Sequence, residues 1–112
     1  MKNLSVDESN RELRNGQSIP LIDVRTPAEF RSVHAEGAVN HPLEFLDVAA
    51  LPFAKNEPLH LICQSGGRSA KACAALAEAG FEPQHLFNLD GGIVGWAEKV
   101  DSSLSRSKKK RR

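Results

Sequence analysis

The chain has 112 residues, 40% of them hydrophobic and 26% charged, with a formal net charge of +1 and two cysteines. That length suits one domain with a real core and excludes two, and the composition is that of an ordinary soluble globular protein. A body (residues 1–105) with nine Lys/Arg against fourteen Asp/Glu gives no nucleic-acid surface, and two cysteines ten positions apart make no disulfide framework.

The first residues, MKNLSVDESNREL, contain no apolar h-region, and no uncharged run nears the ~20 residues of a membrane-spanning helix. With two unframed cysteines, the expectation is a cytoplasmic protein in a reducing compartment. Ser5 and Glu8 have capping-box spacing and open a polar helix that Gly16 should end. Residues 19–26, IPLIDVRT, are a β-branched and aliphatic run closed by Pro27, which predicts a buried strand. Thr26, Pro27 and Glu29 then supply an N-cap, a proline at the first helical position and an acid in the first turn.

The segment GAVNHP is a brief strand candidate, and LEFLDVAAL spaces its apolar residues as a helix that Pro52 stops. PLHLICQ predicts a second buried strand, residues 69–79 a small-residue helix with Gly80 at C′, PQHLFNLDGG a strand with a glycine turn, and IVGWAEKV a last helix. Strands alternating with helices at this spacing indicate an α/β fold around a mainly parallel sheet. The domain should cover residues 1–100. Residues 101–112, DSSLSRSKKKRR, are serine-rich and then basic, and are expected to be disordered.

Chemistry concentrates at one strand end. Ligands of open parallel sheets sit beyond the carboxyl ends of strands, where the next helix begins, and Cys63 followed by QSGGRS holds that position. Gly66 and Gly67 let the backbone curl into a bowl of inward N–H groups. The helix start adds its dipole, and Arg68 a permanent positive charge. These features favour an anion, and the nearest is the Cys63 thiolate. Helix N-termini and cations lower a free cysteine's pKa from about 8.5 to roughly 3.5–7.5, and a fall of ~2 is worth about 2.7 kcal/mol. A cysteine ending a strand is also commonly just a small buried apolar residue; Leu61 and Ile62 fit that reading, but the polar, glycine-rich segment 64–68 does not. Cys73, in the second turn of the following helix, should pack in the core and be a poor resolving partner.

Several motifs together resemble the rhodanese (sulfurtransferase) family over most of residues 1–97. LIDVRTPAEF is similar to the family's early Asp-Val-Arg strand. VHAEGAVNHP supplies its His, Gly-Ala, Asn and Pro as His34, Gly37, Ala38, Asn40 and Pro42. CQSGGRS resembles the active loop residue for residue, and DGGIVGW the final turn and helix. Val33, Ala35 and His41 depart from the family's usual residues, and nothing beyond Lys99 is explained by it.

The resemblance implies a rhodanese-like three-layer fold, a five-stranded mainly parallel sheet flanked by helices. It also implies transfer of a sulfane sulfur, from a donor such as thiosulfate or a persulfide to cyanide, a thiol or a protein cysteine. Cys63 would carry the sulfur as a persulfide, Arg68 would be the loop's electrostatic partner, and Gln64, Ser65, Gly66, Gly67 and Ser69 would form the cradle. No cofactor or metal is implied, and His34, His41, His60 and His85 share no metal-ligand spacing. Cys-x4-Arg is one residue shorter than the Cys-x5-Arg loop of phosphatases and arsenate reductases of related fold, which favours sulfur over a tetrahedral oxyanion. A non-catalytic rhodanese-like binding module is the other alternative.

Asp23 and Arg25 end a strand on the side of the active loop. A structural pairing with loop backbone or Glu29 is favoured there over a substrate role, though Arg25 is placed to attract an anionic donor. The basic run at 106–112 can be a solvated end, or can hold anionic lipid or nucleic-acid phosphates. Oligomeric state, donor and acceptor are not legible.

Overall fold

A computed structural model describes residues 1–15 and 18–104. Five strands, β1 (Lys2–Ser5), β2 (Leu21–Asp23), β3 (Val39–Asn40), β4 (Leu59–Ile62) and β5 (Leu86–Asp90), form one sheet in the order β1-β5-β4-β2-β3. Every neighbouring pair is parallel. Among the described residues four α-helices cover its faces: α1 (Val6–Arg14), α2 (Pro27–Ser32), α3 (Gly67–Glu78) and α4 (Gly92–Lys99). The α/β architecture and the five-stranded sheet are those expected; the sheet is parallel throughout.

Period-two alternation splits the core into two layers. Ile22 and Val24 of the β2 segment, Leu59 and Leu61 of β4 and Leu86 of β5 pack with Ala72, Cys73 and Leu76 of α3. Leu21, Ile62 and Leu89 point the other way, onto Val6 of α1 and Ile93 and Trp96 of α4. Both faces are therefore buried, and all four residues of β4 are inside, the polar His60 with its three aliphatic neighbours.

Helix ends follow the local chemistry. Ser5 and Thr26 each close a full capping box, with Glu8 and Glu29 as the reciprocal partners. At the end of α3, Gly80 adopts φ +102°; its amide donates to Ala77 O at 3.1 Å and the Phe81 amide to Leu76 O at 3.0 Å. This is a Schellman turn, and it needs the glycine. The expected stop of α1 at Gly16 lies outside the described residues.

Three differences from the sequence expectations stand out. Lys2–Ser5 is an edge strand that the polar residues around Leu4 concealed; it pairs with β5, Asn3 opposite Asn88. The single helix expected over LEFLDVAAL is two 3-10 turns, Leu43–Phe45 and Val48–Ala50. Leu46 and Asp47 between them are extended, and the Asp47 side chain accepts from the Ala49 amide at 3.2 Å, restarting the turn instead of continuing it. Their apolar residues, including Leu43, Leu46, Val48 and Leu51, still pack on the α3 layer. Lastly, the Asp101 amide donates to Trp96 O at 2.9 Å and Leu104 packs against the α4 layer, so residues 101–104 lie on the body. The basic run 106–112 lies outside the described residues.

Candidate active site

Cys63 follows β4 directly, and the chain turns back through Gln64, Ser65 and Gly66 into α3. Gly66 makes that turn at φ +115° and caps the helix, a conformation side chains resist. Its amide donates to Cys63 Sγ at 3.0 Å, and Ser69 Oγ lies 3.4 Å from the same sulfur. The cysteine is 1% exposed, so the sulfur sits on the floor of the loop with little water around it. Burial alone pushes the thiol's pKa up. Hydrogen bonds from the Ser69 side chain and from the amides of Ser69, Gly66 and Ser65 outweigh it, and the net displacement is downward.

Arg68 stands at the loop's end but spends its guanidinium elsewhere. Nη1 and Nη2 donate to Glu29 Oε1 and Oε2 at 2.7 and 3.0 Å, a bidentate pair with each side chain about one-third exposed. The Arg68 hydrogen bond holds the Glu29 carboxyl down at about 2, helped by Thr26 and opposed by burial. Arg68 itself is raised chiefly by Glu29, with Cys63 a lesser contributor. Its positive charge therefore reaches the sulfur as a neutralised pair, and backbone amides with Ser69 do most to favour the thiolate.

Asp23 and Arg25 close on each other. Arg25 Nη2 and Nε donate to Asp23 carboxylate oxygens at 2.9 to 3.1 Å, the Arg25 amide donates to Oδ1 at 3.0 Å, and Nη2 also donates to Val33 O at 2.6 Å. The pair is 0% and 2% exposed. Asn40 Nδ2 then ties the carbonyls of Asp23 and Arg25 at 2.9 and 3.0 Å. Of the partners expected for these two, Glu29 belongs to Arg68 instead. Arg25 is a brace for the strand ends and offers no open cation at the mouth.

Two contributors escaped the sequence. Asn88 on β5 is 6% exposed, and its Nδ2 donates to Gly66 O and Asn3 Oδ1, both at 3.2 Å, while its Oδ1 accepts from Ser69 Oγ. A lone amide inside the apolar strand LFNLD was its only signal. Gly92, at φ +55°, lets α4 begin against the loop: the Ile93 amide donates to Cys63 O at 2.8 Å and the Val94 amide to Gln64 O at 3.3 Å. A Cβ on Gly92 would fall 2.5 Å from Gln64 O and nearer still to Cys63 O. The second glycine of DGG is thus a contact requirement as well as a turn residue.

Cys73 lies inside the α3 layer, 0% exposed, and burial pushes its thiol up to about 11. His34 stacks on Phe30 with ring centroids 3.8 Å apart. His60 is buried against Ser9, Nδ1 to Oγ 2.7 Å. Among the described residues no cluster of three or more His, Cys, Asp or Glu side chains is arranged to hold a metal ion, and no helix is long and apolar enough to cross a membrane.

A family model described as "Rhodanese-like domain" matches residues 5–99. A sulfurtransferase of Allochromatium vinosum is 32% identical over 88 residues, covering 79% of this chain and 80% of that protein. A probable adenylyltransferase/sulfurtransferase, MoeZ of Mycobacterium tuberculosis, is 38% identical over 102 residues and 84% of this chain, which spans only 25% of that relative's length. Among solved structures, a rhodanese-like domain protein of Staphylococcus aureus superposes with a TM-score of 0.78 at 28% identity, over 89% of this chain and 95% of that one. The chain belongs to the rhodanese-like domain family.

Proposed function

We propose that this protein is a sulfurtransferase that carries a sulfane sulfur on Cys63. The observation that carries the reading is the sulfur's setting: a buried thiol whose ionised form is favoured by the Gly66 amide at 3.0 Å and by Ser69. The thiolate attacks the outer sulfur of a donor such as thiosulfate. A Cys63 Sγ–S bond forms, the donor's S–S bond breaks, and sulfite leaves with the bonding electron pair. The negative charge then lies on the outer sulfur of the persulfide, within reach of the loop amides. An acceptor thiolate or cyanide next attacks that outer sulfur, and the electron pair returns to Cys63. In each step one bond to the transferred sulfur forms as another breaks, and both the attacked atom and the departing atom are sulfur, so no further redox partner enters.

Cys63, Arg68 and the segment Gln64, Ser65, Gly66, Gly67 and Ser69 are the proposed site. Arg68 serves it by fixing the start of α3 to Glu29, and Asp23 and Arg25 serve only as bracing. The short loop and the commitment of Arg68 to Glu29 argue against a phosphatase, whose tetrahedral oxyanion needs a free guanidinium.

Intact-mass spectrometry after incubation with thiosulfate tests the reading. One sulfur atom should be added, removable by dithiothreitol and absent from Cys63→Ala. An unchanged mass, or aryl phosphate hydrolysis without sulfur uptake, would reject it.

A further inference from the structure

The Ser69 hydroxyl has one proton and three acceptors around it: Asn88 Oδ1, Gly66 O at 3.2 Å and Cys63 Sγ at 3.4 Å. The Gly66 carbonyl already accepts from the Ala70 amide and from Asn88 Nδ2, each at 3.2 Å. A carbonyl can only accept, so the nitrogen of the Asn88 carboxamide must face it, and that fixes the side chain's orientation. Oδ1 is then turned to Ser69. The contest for the proton lies between Asn88 and the sulfur.

With Cys63 neutral, one directed chain satisfies every member: S–H to Ser69 Oγ, Ser69 O–H to Asn88 Oδ1, and Asn88 N–H to Gly66 O and Asn3 Oδ1. With Cys63 ionised, the Ser69 proton turns to the sulfur. Asn88 Oδ1 then loses its donor, in a residue only 6% exposed. We infer that Asn88 is a positioning residue that competes with Cys63 Sγ for the single proton of Ser69, so that charge on the sulfur always costs a hydrogen bond at Asn88.

Resting on the sulfur-transfer reading, a second consequence follows. When Sγ bonds an outer sulfur, the charge moves to that atom and Sγ no longer needs Ser69. The proton returns to Asn88, and the relay thereby favours the loaded state over the bare thiolate.

The charged and titratable groups around Cys63 are otherwise closed on one another. Arg68 on α3 is tied to Glu29 of α2; Asp23 and Arg25 pair at the end of β2; Cys73 is sealed in the α3 layer; Glu44, on the first 3-10 turn, lines the same hollow as Arg68. His60 lies on the other face of β4 beside Glu12. Among the described residues none of these hydrogen-bonds to Ser69 or Asn88, so variants of those two leave the rest of the field in place.

The test is the pH midpoint of Cys63 alkylation by iodoacetamide on the full chain, which needs no sulfur donor. Asn88→Leu frees the Ser69 proton and should move the midpoint down, raising the rate at a fixed acidic pH ~tenfold for each pH unit moved. Ser69→Ala should move it up, and Asn88→Leu added to Ser69→Ala should produce no fall. A midpoint unchanged or raised in Asn88→Leu, or the same fall in both backgrounds, overturns the relay. Should Asn88→Leu fail to fold, the Asn88 side-chain amide resonances decide: they should titrate with Cys63 in the unsubstituted protein and stay flat in Ser69→Ala, and a flat response in both overturns it. Midpoints that shift as expected while thiosulfate adds no sulfur would uphold the relay and defeat the sulfurtransferase reading.

Discussion

The Arg68 guanidinium grips both oxygens of Glu29, at 2.7 and 3.0 Å, and Glu29 Oε1 simultaneously accepts from the Thr26 amide at 2.9 Å. One carboxylate thus joins the start of α2 to the start of α3 and cancels the charge nearest the loop. Glu29→Gln should keep the capping box, since glutamine serves there, while leaving Arg68 unmatched. The expected result is a lower alkylation midpoint for Cys63, with a stability cost below about 1 kcal/mol because both side chains are about one-third exposed. Glu29 is held at about 2 against an ordinary 4.5, so its contribution is full above pH 4.5 and lost as pH falls toward 2. The variant should lose stability less steeply in that window. An unmoved midpoint would show that the Arg68 field does not reach the sulfur.

The glycines of the site should separate sharply on substitution. Nothing lies within 4 Å of a Cβ built on Gly67, in the first turn of α3. Gly67→Ala should be neutral or stabilise by up to about 1 kcal/mol through the unfolded chain. Gly92→Ala meets two carbonyls of the loop at positive φ and should cost roughly 3 kcal/mol or more. Urea melts of the two variants read the difference directly. Equal stability for both would mean that the approach of α4 to Cys63 O is not a close one.

That contrast also marks what was legible in the sequence. Burial on both faces wrote β2 and β4 as short, mainly aliphatic runs, and Ser5, Thr26 and Gly80 announced their helix ends because capping is local chemistry. The thiol loop was legible because its residues are consecutive. Lys2–Ser5 was not, since an edge strand with one apolar residue has no periodicity to read and forms only because β5 offers it a partner. The partnering of Arg68 with Glu29, 39 positions earlier, and of Ser69 with Asn88, 19 positions later, is set by the crossover topology. No spacing rule reaches that far. The segment 43–51 kept its apolar pattern yet broke at Asp47, where a side chain competed for the backbone.

Cys73 should be silent toward alkylation. Burial pushes its thiol up to about 11, whereas the loop amides and Ser69 favour the ionised form of Cys63, which is itself only 1% exposed. Iodoacetamide at pH 8 should therefore label one site, Cys63, and Cys73→Ala should leave the labelling rate unchanged. Cys73→Ser, by contrast, puts a hydroxyl among Leu59, Leu61, Leu76 and Leu86 and should cost about 1–3 kcal/mol. Two labels on the folded protein would contradict the packing of α3.

His60 should dominate the protein's response to mild acid. Burial lowers its pKa below the ordinary 6.5, while Glu12, with Oε1 3.2 Å from Nε2, pulls it partly back up. The unfolded chain takes up a proton near 6.5 and the folded one resists it. Stability is therefore complete above 6.5 and falls as pH drops below that value, at up to about 1.4 kcal/mol per pH unit for one proton. His60→Gln, which can retain a hydrogen bond to Ser9, should flatten the slope between pH 6.5 and 5 even if it lowers the plateau. Glu12→Gln should steepen it, because the folded state then loses the group that eases protonation. Equilibrium urea unfolding at several pH values distinguishes the three proteins. A slope shared by all of them would assign the acid response to another group.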